Sequence, residues 1–246
     1  MTMKPIHMAE TLAVGSVEDF VTLGEIAELI EIMDRHLAAE GADRFADARA
    51  ESIHEVPGHT ASEAMQIYEP AGRLEVAKIP DEAETLLQEA FQRASDAVGR
   101  LMPSITTCRP WTYVEYGPGQ HITPHLDGIA PDPLSWPRQI AGISIVISSP
   151  VDGGAFFVES SSDSRLWDRP CPDPAAGYAP GAWLAHDGAD YSAAWFRDMP
   201  RTRWSVNPAV GTALLYGSQL THGTDPVRQG RSRKFISWLI AATDQH

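Results

Sequence analysis

Cysteine is nearly absent, with Cys108 and Cys171 the only two in 246 residues. Two thiols without a CxxC spacing exclude a cysteine-rich zinc site. A chain this long needs no disulfide staples, so reduced thiols are expected. Basic residues are scarce as well: 19 Lys plus Arg face 33 Asp plus Glu, a formal net charge of −14. The average field therefore repels polyanions, which argues against nucleic acid and anionic membrane as partners. A local basic pocket can still hold a small anion, because salt screens the distant surface carboxylates. Long apolar runs are missing too. Nothing approaches the roughly 18 residues of a membrane span, and Met1 to Gly15 lacks the apolar core of a signal peptide, so a cytoplasmic location is expected.

What remains is ordinary globular material, 43% hydrophobic and 21% charged, which favours a packed core over disorder. The length suits one domain spanning 1–246. Residues 1–104 read as mostly helical support. Thr22-Leu-Gly-Glu25 has the form of a capping box, and Ile26, Leu29, Ile30, Met33 and Leu37 follow at helical spacing. A second helix is predicted after Pro80, with Asp81 as cap and a stripe from Leu86 to Leu101.

From 105 the pattern changes to short β-like runs separated by Gly and Pro, at 109–116, 121–127, 140–148, 154–159, 203–206, 211–217 and 233–241. Such a series predicts an antiparallel sandwich or jelly roll over 105–240. Residues 160–202 interrupt it, and that stretch reads as a lid or an insertion on the barrel mouth. Four of the seven tryptophans lie in it or at its exit (Trp167, Trp183, Trp195 and Trp204), so it either covers the mouth or forms a small core of its own. Trp183, His186, Trp195 and Trp204 are its candidate substrate contacts. Arg165, Arg169, Arg197, Arg201 and Arg203 could hold a substrate carboxylate or form solvated ion pairs.

In Tyr116-Gly-Pro-Gly-Gln-His-Ile-Thr-Pro-His125-Leu-Asp127-Gly128 a turn leads into a strand whose alternation puts 121, 123, 125 and 127 on one face. His125 and Asp127 can then occupy neighbouring corners of one metal. A second imidazole from another strand completes two histidines and one carboxylate, a facial set that leaves positions open and suits non-haem Fe(II). An isolated HxD is weak, since histidines also bond carboxylates in cores. Downstream, however, the strand Gly211–Tyr216 leads to His222, and a turn and a basic strand with Arg231 and Arg233 follow. His7, His36, His54, His59 and His246 have no partner at ligand spacing and read as surface residues, whereas His121 shares the face of His125 and is a further candidate substrate contact.

These motifs, taken in order, resemble the 2-oxoglutarate/Fe(II) dioxygenases across roughly 105–240. The YGPGQxxxxHxD stretch and Val151-Asp-Gly-Gly-Ala-Phe-Phe157 are similar to prolyl-4-hydroxylase-type members, and the HGxxP stretch at His222 is similar to phytanoyl-hydroxylase-type members. The resemblance implies a double-stranded β-helix, a cupin-like jelly roll, with helices on its outer face. It assigns His125, Asp127 and His222 to Fe(II), with 2-oxoglutarate as cosubstrate and O₂ as oxidant. It also implies a basic residue after His222 for the far carboxylate. Arg233, eleven positions on, is favoured over Arg231, nine positions on, because a guanidinium fork matches a carboxylate. Tyr116 matches a tyrosine of the cosubstrate pocket, and Ser144 is the candidate replacement for a second one.

The implied reaction is hydroxylation of an unactivated C–H of a small molecule, amino-acid-like compounds being the first to try, with formation of succinate and CO₂. Desaturation and cyclisation use the same triad, while the carboxylate of Asp127 argues against halogenation. The alternatives are a peptidyl, prolyl-type hydroxylase and, more distantly, a cupin-like metal protein without oxygenase activity.

Overall fold

A computed structural model describes residues 10–46, 49–54, 56, 58–127, 136–170, 178, 181–186 and 188–242. The N-terminal part supplies β1 (Val14–Val17), α1 (Leu23–Glu40), α2 (Ala61–Tyr68), β2 (Leu74–Val76), α3 (Asp81–Arg93) and α4 (Ser95–Leu101). Next come β3 (Thr107–Cys108), β4 (Thr112–Tyr116), β5 (Ile122–His125), β6 (Arg138–Ser148), β7 (Asp152–Gly153) and β8 (Phe156–Ser160). The interrupting segment holds β9 (Arg169–Pro170), β10 (Trp183–Leu184) and α5 (Ala194–Asp198). The chain continues with β11 (Thr202–Val206), β12 (Ala213–Gly217), β13 (Thr221–Thr224), β14 (Val227–Gln229) and β15 (Ser232–Ala241).

Two antiparallel sheets face each other as a jelly roll. The larger runs β1-β12-β6-β15-β4-β2, with β3 added along β15, and the smaller runs β11-β8-β13-β5. Strand alternation decides what each face carries. On the larger sheet Ile143, Ile145, Ala213, Leu215, Phe235 and Leu239 face outward and are covered by Leu29 and Met33 of α1 and Leu87 and Phe91 of α3. Their neighbours Gly142, Ser144, Tyr216, Lys234, Ile236 and Trp238 face inward. The main core thus lies between sheet and helices, leaving the space between the two sheets for chemistry.

The capping box is present at α1: Thr22 accepts from the Glu25 amide, and Glu25 accepts from the Thr22 amide at 2.8 Å. The expected second helix differs. Asp81 is its first residue rather than its cap, and the stripe is split at Ala94 into α3 and α4. Glu84 does not close a box either; it accepts from the Trp111 amide at 2.8 Å and pins α3 to the strand region. The N-terminal part is also less purely helical than expected, since β1 and β2 form the two edges of the large sheet. The second box, Thr60 with Glu63, opens α2 and is readable in the sequence.

Close approach decides two glycine positions in opposite directions. A Cβ on Gly217 would lie 2.1 Å from the Thr11 backbone, whereas one on Gly99 in α4 meets nothing within 4 Å. Gly217→Ala is expected to cost about 1–3 kcal/mol by pushing the N-terminal segment off β12. Gly99→Ala should stabilise by up to about 1 kcal/mol, as expected for a glycine inside a helix. Thermal unfolding of both variants checks the opposite signs; an unchanged melting temperature for Gly217→Ala would contradict the packing.

Candidate metal centre

The turn before β5 is built by Gly119, at φ +84°, and by Gln120, whose side chain accepts from the Gly117 amide at 2.8 Å. It reverses β4 into β5, and alternation then turns His125 and Asp127 to one side. On β13, His222 sits directly opposite His125 in the ladder, the two rings 4.4 Å apart. One ligand atom from each of His125, Asp127 and His222 lies within 4.8 Å of the others.

The tautomers suit a metal. His125 Nδ1 donates to the Thr123 carbonyl at 2.8 Å and His222 Nδ1 to the Leu220 carbonyl at 3.0 Å. Both Nε2 lone pairs are thereby left pointing at the Asp127 carboxylate, 3.6 and 3.7 Å from its oxygens. Those gaps are too long for hydrogen bonds and leave a place for a cation. Burial raises the Asp127 pKa, opposed by His222 and by a hydrogen bond from Trp238. Burial, with His222 beside it, holds His125 neutral, the form that ligates. Two imidazoles and one carboxylate of this kind suit non-haem Fe(II).

Below the triad a narrow cleft, partly open to solvent, runs between the sheets, lined by Tyr116, Ser144, Phe156, Thr224, Lys234 and Arg73 among others. Lys234 is buried, with its ammonium 3.4 Å from the Thr224 hydroxyl. Burial, reinforced by the Arg73 charge, pushes its pKa down to about 8. Arg73, also buried, donates to the Tyr116 hydroxyl at 2.7 Å and pairs with Glu75 and with Glu69. Arg49 pairs with Glu69 as well. Arg49 and Arg73 thus share Glu69 and Glu75, whereas Lys234 meets the neutral hydroxyl of Thr224.

This arrangement corrects the expectation for the basic strand. Arg231 and Arg233 point away from the cleft: both pair with Glu115, and Arg233 also pairs with Asp34 of α1 at 2.6 Å. The inward cation is Lys234, twelve positions after His222. His54, expected on the surface, lines the cleft instead. It stacks on Tyr68 at 4.6 Å and meets His125 edge-on at 5.0 Å. His59 is exposed, and His36 is partly buried against Phe45; His7 and His246 lie outside the described residues. Tyr116 and Ser144 do line the cleft.

Of the candidate substrate contacts, none lines it. His121 bonds the Gly119 carbonyl, Trp183 and Trp204 are half exposed, and His186 packs on Trp195. Among the described residues of the interrupting segment, Leu166, Ala185, Phe196 and Met199 gather round Leu126, and Tyr178, Ala182 and Leu184 pack with Ile140 and Ala241 of the large sheet. Its arginines are engaged by protein groups: Arg165 with Asp163, Arg201 and Arg203 with Glu159, Arg169 with the Ala185 carbonyl, and Arg197 with the Tyr191 carbonyl.

No family model matches the chain, and no curated protein matches its sequence. Solved structures match over most of its length. A Pseudomonas putida prolyl-4-hydroxylase is similar at 12% identity and TM-score 0.54, covering 96% of each chain. The viral collagen prolyl hydroxylase of Paramecium Bursaria Chlorella virus-1, solved with 2-oxoglutarate, is 14% identical with TM-score 0.51, covering 94% of this chain and 96% of that one. The non-heme alpha-ketoglutarate-dependent epimerase SnoN from nogalamycin biosynthesis is 17% identical with TM-score 0.57, covering 96% and 79%. The chain therefore has the fold of the 2-oxoglutarate/Fe(II) oxygenases, a double-stranded β-helix.

Gly142 is the tightest point of the centre: a Cβ there would lie 2.3 Å from the Tyr216 ring and 2.8 Å from Asp127 Oδ2. Gly142→Ala should weaken binding of Co(II), used as a probe metal, by about 10- to 100-fold, as loss of a ligand's support does. Calorimetric titration measures this, and wild-type affinity in the variant would contradict the geometry.

Proposed function

We propose that the chain is an Fe(II)- and 2-oxoglutarate-dependent oxygenase acting on a small molecule. The single observation carrying this reading is the pairing of a buried two-histidine, one-carboxylate cluster with the buried ammonium of Lys234 in the same cleft. A metal protein without oxygenase chemistry has no need of Lys234. His125, Asp127 and His222 would hold the iron. When bound, Fe(II) supplies the redox chemistry that converts R–H, O₂ and 2-oxoglutarate into R–OH, succinate and CO₂.

The chain's own groups do the rest. The ammonium of Lys234 and the hydroxyl of Thr224 receive the far carboxylate of 2-oxoglutarate, whose negative charge neutralises this buried cation. Tyr116, held by Arg73, borders the same space, and Ser144 offers a hydroxyl on the wall. Trp238 orients the Asp127 carboxylate, and the Thr123 and Leu220 carbonyls fix the two imidazoles. Phe156 and Ile122 keep the wall beside the ligands apolar, which limits water there. Peptide hydroxylation is the second reading, favoured by the fold shared with prolyl hydroxylases, one of which was solved with a peptide fragment.

The direct test is succinate formation from 2-oxoglutarate in air with added Fe(II); no succinate with any of a broad panel of small molecules and peptides would sink the reading. Lys234→Ala should weaken 2-oxoglutarate binding about thirty-fold or more, since removing one partner of a buried charge pair costs about 2–5 kcal/mol. Arg233→Ala and Arg231→Ala should change it by less than about fivefold, because both side chains are engaged by Glu115 away from the cleft and a change of that size is about 1 kcal/mol. The reverse ranking would return the role to the arginines.

A pH dependence follows with a definite sign. Only protonated Lys234 attracts the anion and its pKa is about 8, so 2-oxoglutarate affinity should fall as pH rises above that value. The fall should disappear in Lys234→Ala. Titrations between pH 7 and 9.5 measure it, and a flat profile for the wild type would exclude Lys234 as the anchor.

A further inference from the structure

The row of the small sheet that carries the metal ligands continues past them. His125 pairs with His222, His222 with Val158, and Val158 with Trp204. Directly opposed residues of antiparallel strands share a face, so these four side chains all lie on the inner side. Trp204 is two strands beyond His222, about 10 Å at roughly 4.8 Å per strand. It is 51% exposed.

The facing row of the large sheet runs Trp238, Gly142, Tyr216 and Val14. Its end, Val14, is 37% exposed. Between the two rows Tyr216 and Phe156 lie against His222, with ring centroids at 4.4 and 6.0 Å. Leu214, Val158 and Val206 pack with them. An apolar strip therefore leads from the edge strands β1 and β11 to the imidazole of His222.

Its charge is as telling as its shape. Inner-face residues of β11 are Thr202, Trp204 and Val206, those of β8 are Phe156, Val158 and Ser160, and those of β1 are Val14 and Ser16. None is titratable. The charged residues of the same strands fall on the outer face, where Arg203 lies over the Phe157 ring at 3.6 Å and pairs with Glu159 and Asp225. The cations of the cleft, Lys234 on β15 and Arg73 just before β2, belong to none of these strands. A charged group brought to the strip would lose hydration and meet no partner on these strands. An apolar ring would cover an exposed indole and gain stacking.

We propose that this strip is the substrate subsite of the centre and that it takes the flat, uncharged apolar ring of a small molecule, stacked on Trp204 with Val14 on the facing sheet. The proposal deepens the oxygenase reading, yet the binding surface itself does not require iron. Calorimetric titration of the whole chain at pH 7, without added metal, uses 2-naphthol as a neutral ring and 2-naphthoate as its charged counterpart.

2-Naphthol should bind, 2-naphthoate about tenfold more weakly, and Trp204→Ala should weaken 2-naphthol about tenfold, the scale of one aromatic stack. Trp204→Phe should retain most of the affinity, and Arg203→Ala, on the outer face, should leave it unchanged. No binding of 2-naphthol by the wild type, tighter binding of 2-naphthoate, or equal affinity in Trp204→Ala would overturn the proposal. So would sedimentation showing that the wild type self-associates and Trp204→Ala does not, which would make the strip a contact between copies. Ring binding without any succinate formation would count against the oxygenase reading and leave the subsite standing.

Discussion

The pairing of His125 with His222 across β5 and β13 is the constraint from which the rest of the molecule takes its sense. Strand register has period two, so a slip of one residue in either strand would send an imidazole to the outer face and leave Asp127 without its partners. Several features hold that register. The Gly119 turn sets where β5 begins, and Gly223 allows the ladder to close, since a Cβ there would meet the Ile122 carbonyl at 2.7 Å and the Phe157 ring at 2.5 Å. The ladder shifts register between His222 and Thr224, a bulge that separates the histidine pair from the Thr224–Ile122 pair. The helices contribute at a distance, by packing on the outer face of the large sheet whose inner face carries Gly142 and Trp238.

The second constraint is electrostatic. Inside a low-dielectric barrel each charge needs an answer, and the residues here answer one another unevenly. Glu69 and Glu75 serve Arg49 and Arg73, which leaves the Lys234 ammonium with a neutral hydroxyl and a pKa well under that of an ordinary lysine. Asp127 is pushed the opposite way by burial. A divalent cation at one end of the cleft and a dianionic cosubstrate beside it would relieve both strains at once. The acidic surface, with its net −14, is no obstacle, since salt screens it over the distances involved.

Much of this was legible in the sequence. The order of strands and the capping box at Thr22 follow from periodicity and turn residues, while His125, Asp127 and His222, which the fold brings together, were singled out by the family resemblance of the motifs in their order. The basic strand shows where such reading fails. β15 is buried on both faces, so Phe235 and Leu239 on one side and Ile236 and Trp238 on the other are equally apolar, and the alternation that would tell inside from outside is erased. Arg233 and Lys234 are adjacent, and only the partners of each, Asp34 and Glu115 against Thr224, reveal which one faces in.

His54 and Arg73 were illegible for a different reason. They reach the cleft from far upstream, through contacts that no local pattern announces; the Thr60–Glu63 box, which opens the α2 helix whose Tyr68 stacks on His54, was a signal left unread. The split at Ala94 likewise left no trace in the helical stripe, which runs on across it.

The central claim is that the triad and Lys234 form a single site for Fe(II) and 2-oxoglutarate. Anaerobic titration of the Fe(II)-loaded protein with 2-oxoglutarate tests it most directly, through the visible charge-transfer band that bidentate chelation produces. The account predicts a band that saturates at one equivalent of iron per chain and is lost in Asp127→Ala. An iron-loaded protein that gives no band at saturating 2-oxoglutarate would contradict it.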